Sequence, residues 1–281
     1  MIVVTGATGN IGRPLVAALA EAGEEVVAVS RSARPAGLPD GVRAVQASLG
    51  DFAGMKPVLE GADAFFILLA GEQNGPGEPA AELLDIAKGA GVKRVVLVSS
   101  QLAGTRSDTL SHNRLREFEA AVRESGLEYT VLQPGGFASN AFAWAESVRT
   151  SRRVFHPFGD VALPVVDPAD IADVAAVALR EDGHNGRTYV LTGPEAVGPR
   201  RQVAMLSEAL GEEVTYVELT REQATEVMSR FMPPAVVKGT LDVLGEPLPV
   251  ELEVSPDVQK VLGRPARSFG DWVARAVPAF T

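Results

Sequence analysis

Through its first 135 residues the chain alternates between two kinds of segment. Short runs rich in β-branched and apolar residues occur at "IVVT" (2–5), "EVVAVS" (25–30), "RAVQAS" (43–48), "AFFILLA" (64–70), "RVVLVSS" (94–100) and "YTVLQP" (129–134). Each reads as a buried strand. Between them lie stretches with helical spacing, including 11–22, 79–90 and 112–125. Parallel neighbours need a crossover long enough to hold a helix, so the alternation predicts an α/β fold built on a doubly wound parallel sheet with right-handed crossovers.

After residue 136 the alternation breaks, and "GGFASNAFAWAESVRTSRRVFHPFGD" suits a loop and short helix over a cleft. The expected division is a sheet domain over 1–135, to which the chain returns at 160–192, and a smaller C-terminal lobe made mainly from 136–281. "DPADIADVAAVALRE" (167–181) reads as a capped helix with Asp167 as N-cap and Pro168 in the first helical position. A strand at "RTYVLTG" (187–193) follows it. Residues 198–265 mix charged helical stretches with proline-punctuated segments, and 268–280 places Phe269, Trp272, Val273 and Ala276 near helical spacing.

Composition narrows the function classes. With 281 residues and 46% hydrophobic content the chain can bury a substantial core. A net charge of -10 opposes sequence-independent binding to phosphate backbones, so no nucleic-acid partner is expected. There is no cysteine, which removes disulfides and thiolate chemistry, and only His112, His156 and His184 offer imidazole; no metal site is expected. The most apolar stretch, 64–71, is too short to cross a bilayer, so the expectation is a cytoplasmic protein with no membrane association.

"TGATGNIG" (5–12) directly follows the first strand run. Gly6, Gly9 and Gly12 at a strand-to-helix junction give a tight turn and a surface without side chains, where a pyrophosphate can approach the backbone and the positive end of the next helix. The expected ligand is a dinucleotide. At the end of the second strand, where an acid would bind the ribose hydroxyls of NAD, the chain has Ser30, Arg31 and Ser32, followed by Arg34. A guanidinium flanked by hydroxyls suits a 2′-phosphate, which favours NADP(H).

Taken together, "TGATGNIG", "VVLVSSQLAG", "ESGLEYTVLQPGGFASN", "DPADIADVAAVAL" and "GRTYVLTGPEAVGPRRQVAMLSEALG" resemble the NmrA-like branch of the atypical short-chain dehydrogenase/reductases. The resemblance covers most of 1–217 and implies a Rossmann-type domain with a smaller substrate lobe. It also implies a family that holds NADPH-dependent quinone and enone reductases beside proteins that bind NADP without known turnover. The cofactor contacts it implies fall on Gly6, Thr8, Gly9, Asn10 and Ile11 at the phosphates, and on Arg31 and Ser32 at the 2′-phosphate. Ser48 and Leu49 would lie near the adenine; Leu69, Ala70, Gly71, Ser99, Pro134, Gly135 and Gly136 would lie toward the nicotinamide.

One departure shapes the expected chemistry. The wider superfamily uses a Ser or Thr after the fifth strand and a Tyr-x-x-x-Lys pair to move a proton. Here the corresponding positions are Gln101, Ser111 and Leu115, and Tyr129, Tyr189 and Tyr216 all lie elsewhere, in strand runs. Alcohol dehydrogenation is disfavoured by this loss, whereas an electrophilic quinone or enone can accept hydride with a weak or water-borne acid. His112, beside the vacant Tyr position, is the candidate catalytic acid, with an ordinary surface histidine as the other reading; His156 is the second candidate. Phe137, Phe142, Trp144, Phe155 and Phe158, with Met228, Phe231 and Met232, could line an apolar pocket for a small aromatic or conjugated substrate, with Asn140 as polar anchor, or could simply form the core of the second lobe. Two functions therefore stand: an NADPH-dependent reductase of an apolar carbonyl compound, and a non-catalytic NADP(H)-binding redox sensor acting through a protein partner.

Overall fold

A computed structural model describes residues 1–32 and 37–281; Arg34 lies outside the described residues. Among the described residues nine strands are formed: β1 (Ile2–Val4), β2 (Val26–Ser30), β3 (Arg43–Gln46), β4 (Ala64–Leu68), β5 (Arg94–Val98), β6 (Glu128–Pro134), β7 (Arg153–Pro157), β8 (Arg187–Leu191) and β9 (Thr215–Leu219). Twelve α-helices of the described residues join them. They are α1 (Gly12–Glu21), α2 (Phe52–Leu59), α3 (Ala80–Gly89), α4 (Gln101–Thr105), α5 (Asn113–Glu124), α6 (Ala145–Ser151), α7 (Pro168–Arg180), α8 (Pro199–Leu210), α9 (Arg221–Met228), α10 (Pro234–Gly245), α11 (Asp257–Leu262) and α12 (Phe269–Ala276).

Seven strands form one sheet in the order β3-β2-β1-β4-β5-β6-β8, every pair parallel. Side chains alternate across it, so consecutive strand residues enter different cores. Val4, Phe66, Val96 and Leu132 pack under α1, α7 and α11, through Leu15, Val16, Ile171, Ala175 and Val258. Val3, Phe65, Val95 and Val131 pack on the other face against Phe52, Met55, Leu83, Leu84, Phe118 and Val122 of α2, α3 and α5. The predicted doubly wound sheet is present, and β8 and α7 return to it from beyond residue 160.

The strands end earlier than their apolar runs, because residues such as Leu69 and Ser99 leave the ladder to start the loops above the sheet. A larger difference lies in 135–160, read as loop and short helix. It contains a 3-10 turn (Ala138–Trp144), α6, and then β7, which pairs in parallel with β9 as a separate two-stranded sheet. The partner strand lies 62 residues downstream in register (Arg153 opposite Thr215), a pairing that local periodicity does not reveal. Trp144, Val148 and Val154 pack there against Val203, Leu206, Phe269, Trp272 and Phe280 from α8 and the C-terminus.

Two polar clusters fasten these layers. Asp170 in α7, fully buried, accepts from Arg264 Nη2 at 2.8 Å, the Arg267 backbone N–H at 2.6 Å and Arg267 Nη1 at 2.5 Å. Glu119 in α5, also buried, accepts from Ser99 Oγ at 2.5 Å, Gln133 Nε2 at 2.8 Å and Arg123 Nη2 at 2.9 Å, joining the ends of β5 and β6. Among the described residues no helix is long and apolar enough to cross a membrane.

Candidate active site

Strand order reverses between β1 and β4, and the crevice above such a switch point is where parallel α/β sheets bind ligands. Thr5 splices the two strands there: its hydroxyl donates to the Phe66 carbonyl at 2.9 Å and accepts the Leu68 N–H at 3.0 Å. The chain then turns through Gly6, whose φ of +64° is in the left-handed region that glycine adopts at little cost. A Cβ on Gly12 would fall 2.1 Å from the Gly6 carbonyl oxygen, so α1 meets the turn at a distance only glycine allows. Thr8, Gly9 and Asn10 form the open rim of this turn, with Gly9 and Asn10 exposed. A pyrophosphate fits such a cradle, bare of side chains and set at the start of a ten-residue helix.

Around this cradle the residues that family resemblance suggested divide in two. Arg31 and Ser32 are exposed just past β2, in a turn where Ser30 Oγ donates to the Ser32 carbonyl at 2.6 Å and Gln46 Nε2 donates to the Arg31 carbonyl at 3.0 Å. Ser48 accepts the Gly50 N–H, and Gln73 Nε2 reaches its hydroxyl at 3.3 Å, linking the loops after β3 and β4. Ala70 and Gly71 are exposed, Gly71 with φ +58°. By contrast Ile11, Leu49 and Leu69 bury their side chains in the two cores, leaving only their backbones to meet a ligand. Ser99 is likewise turned away: its hydroxyl is committed to Glu119 inside the protein, so it is not free to face a nicotinamide.

Farther along the same edge of the sheet, above β5 and β6, lies a cleft of about 290 Å³. Its floor is the turn after Pro134, where Gly135 and Gly136 expose backbone, together with Ser100, Gln101 and Leu102 from the start of α4. Phe137, Asn140, Leu163 and Pro164 form one wall; Thr240, Val243 and Leu244 of α10, with Glu251, form the other. The lining is mostly apolar, with a few amide, hydroxyl and carboxylate groups, the composition of a small-molecule site.

Of the aromatics expected at a pocket, only Phe137 reaches this cleft, with Asn140 beside it. Phe142 instead stacks on Phe280 and meets Trp272 edge-on, and it lines a separate hollow of about 260 Å³ near Asn10. Trp144 is buried in the lobe core, and Phe155 stands 46% exposed on β7. Phe158, at φ +56°, packs over Gly245 and joins Met228 and Met232 in a small cluster around Val237 and Leu241; Phe231 is exposed. Of the two readings of these aromatics, the lobe core takes Trp144 and the cleft takes Phe137.

The histidines also lie off the cleft. His112 sits below α10 with Nδ1 3.0 Å from Ser111 Oγ, and burial, aided by the Arg116 charge, lowers its pKa, so it is neutral near pH 7 and a poor proton donor. His156 donates from Nδ1 to the Pro157 carbonyl at 2.8 Å and stands edge-on to Trp144; burial lowers its pKa as well. His184 precedes β8, at the opposite end of the sheet. The tyrosines are equally remote: Tyr216 donates to the His156 carbonyl, Tyr189 bonds His184, and Tyr129 lies on β6. Sequence reading missed Leu163, Pro164, Thr240, Val243, Leu244 and Glu251. The one local hint was an acid at position 251 amid apolar residues in a proline-punctuated run.

A family model described as NAD(P)H-binding matches residues 6–182. The chain is 38% identical over 283 residues to a (4-alkanoyl-5-oxo-2,5-dihydrofuran-3-yl)methyl phosphate reductase of Streptomyces griseus subsp. griseus, covering 100% of this chain and 99% of that one. It is 34% identical to an NAD(P)H azoreductase of Xenophilus azovorans over the same shares of the two chains. A crystal structure of an NADPH-dependent quinone oxidoreductase from Escherichia coli complexed with NADPH superposes with a TM-score of 0.78 at 25% identity, covering 98% of this chain and 99% of that one. The glycine cradle at the sheet's switch point and these full-length likenesses lead to one conclusion: the chain belongs to the NAD(P)H-binding, NmrA-like atypical short-chain dehydrogenase/reductase family and is an NAD(P)H-dependent oxidoreductase.

Proposed function

We propose that this oxidoreductase uses NADPH to reduce an uncharged, conjugated carbonyl compound, a quinone or an enone. The observation that carries the reading is the cleft itself: a mostly apolar hollow on the same sheet edge as the glycine cradle, floored by Gly135 and Gly136, with no lysine, arginine, histidine or tyrosine lining it among the described residues. Bound there, NADPH would supply hydride. The chain's part is to orient and to exclude water. Gly135 and Gly136 let a flat ring lie close against the backbone, while Phe137, Leu163, Val243 and Leu244 cover it. Asn140, exposed at the rim, can donate to a carbonyl oxygen as charge develops on it.

A conjugated acceptor takes hydride at carbon, its electrons moving to oxygen, and water at the open rim supplies the proton; no side-chain acid is required. The relatives include a reductase named for a dihydrofuranone phosphate, whose ring carbonyl is conjugated with a carbon–carbon double bond and so falls in the same acceptor class. Arg31, on the exposed turn after β2, supports NADPH over NADH. The test is NADPH oxidation by the purified protein over a panel of quinones, enones and ketones. Turnover of quinones or enones above the uncatalysed rate is expected. Tight NADPH binding with every acceptor left at the uncatalysed rate would overturn the reductase reading in favour of a redox sensor.

A further inference from the structure

Gln101 is the first residue of α4 and only 6% exposed, yet its amide lies on the cleft. Nε2 donates one hydrogen to the Val250 carbonyl at 3.3 Å, the one hydrogen bond its side chain makes among the described residues. Oε1 lies over the bare turn at Gly135, 3.3 Å from where a Cβ would stand. Oε1 and the second N–H are therefore left open toward the cleft, available to a ligand that enters it.

What holds it in place comes from far along the chain. Glu251, 2% exposed, accepts four hydrogen bonds: from Arg106 Nε and Nη2 at 2.8 Å each, from Thr105 Oγ1 at 2.8 Å and from the Leu248 N–H at 2.9 Å. Burial would raise the Glu251 pKa, but the donors from Arg106, Leu248 and Thr105 outweigh it and hold the carboxyl below its ordinary value. With both oxygens occupied, the carboxylate has little left for a substrate. It latches residues 248–251 onto α4 and so fixes the Val250 carbonyl that orients Gln101.

We infer that Gln101 is the substrate-orienting residue of the cleft, hydrogen-bonded to an oxygen of the conjugated carbonyl compound, and that the strap 248–251, latched by Arg106 and Glu251, is its positioning device. This rests on the substrate class proposed above. An amide suits that class: a quinone oxygen accepts a hydrogen bond before reduction and the resulting hydroxyl donates one afterwards, and Gln101 has a spare N–H for the first and Oε1 for the second.

Equilibrium binding separates this from turnover. Menadione, an uncharged naphthoquinone, is titrated into protein saturated with NADP⁺, where no hydride is available. Gln101→Met, which keeps the side chain's length, is expected to weaken menadione binding about three- to tenfold, the scale of one neutral hydrogen bond, with NADP⁺ affinity within about twofold of wild type. Gln101→Leu is the second variant should the first fail to fold. Glu251→Gln is expected to weaken menadione in the same direction, and the double variant to lose no more than Gln101→Met alone, because the latch acts through the amide. Unchanged menadione affinity in both Gln101 variants, or a wild-type protein that does not bind menadione, would overturn the assignment; additive losses would overturn the role of the strap. A wild-type protein that binds menadione yet oxidises no NADPH would refute the reductase reading and leave the anchor standing.

Discussion

Replacing Gly12 with alanine tests the cradle most directly. The added Cβ would stand 2.1 Å from the Gly6 carbonyl oxygen and 2.7 Å from Ala7 Cα, so it must retreat about 0.9 Å to reach the 3.0 Å that real Cβ atoms respect. Neither side can give cheaply. Leu15, Val16 and Leu19 anchor α1 in the core, and the Gly6 carbonyl already accepts the Gly9 N–H at 3.0 Å, the bond that closes the turn. Overpacking of this kind costs about 1–3 kcal/mol. Whatever part of it displaces the turn also weakens NADPH, about tenfold for each 1.4 kcal/mol. Urea unfolding and NADPH titration of Gly12→Ala measure the two parts. Gly89→Ala is the control, since its Cβ meets nothing within 4 Å near the end of α3, and it should stabilise by up to about 1 kcal/mol. Wild-type stability and NADPH affinity in Gly12→Ala would refute the close-approach argument.

Three further outcomes are expected. Arg31→Ala should weaken NADPH by about 1.5–3 kcal/mol and NADH little, and equal losses in parallel titrations would contradict a 2′-phosphate contact. Asp170→Ala removes the buried acceptor of Arg264, Arg267 and the Arg267 N–H, leaving both guanidinium groups on Asp173 alone, and should cost about 1.5–3 kcal/mol in urea unfolding; a loss below about 1 kcal/mol would show the cluster to be dispensable. His112, His156 and His184 all have pKa values lowered by burial from the reference value of 6.5, so the unfolded chain takes up protons first on acidification. Their contribution to stability is complete above pH 6.5 and declines as pH falls below it toward the folded-state values, and a urea midpoint that rises over that interval would refute the shifts.

The parallel sheet and the cradle are legible in the sequence alone, because both are local: apolar runs of strand length recur between helical stretches, and a glycine turn depends on backbone freedom within eight residues. Ser99 shows where that legibility ends. It lies in a matching motif, yet Glu119, twenty residues on, claims its hydroxyl. The aromatics of 137–158 and His112 each kept two readings in the sequence for a related reason, since residue type and nearness in sequence do not say which way a side chain faces once another element packs over it. The cleft depends wholly on such packing. Gln101 meets Val250 across 149 residues and Arg106 meets Glu251 across 145, contacts that arise only when α10 and the strap close over β5 and β6. Periodicity and turn chemistry write the ligand-binding edge of the sheet into short stretches of chain, whereas the shape and polarity of the substrate cavity come from side chains brought together by tertiary burial.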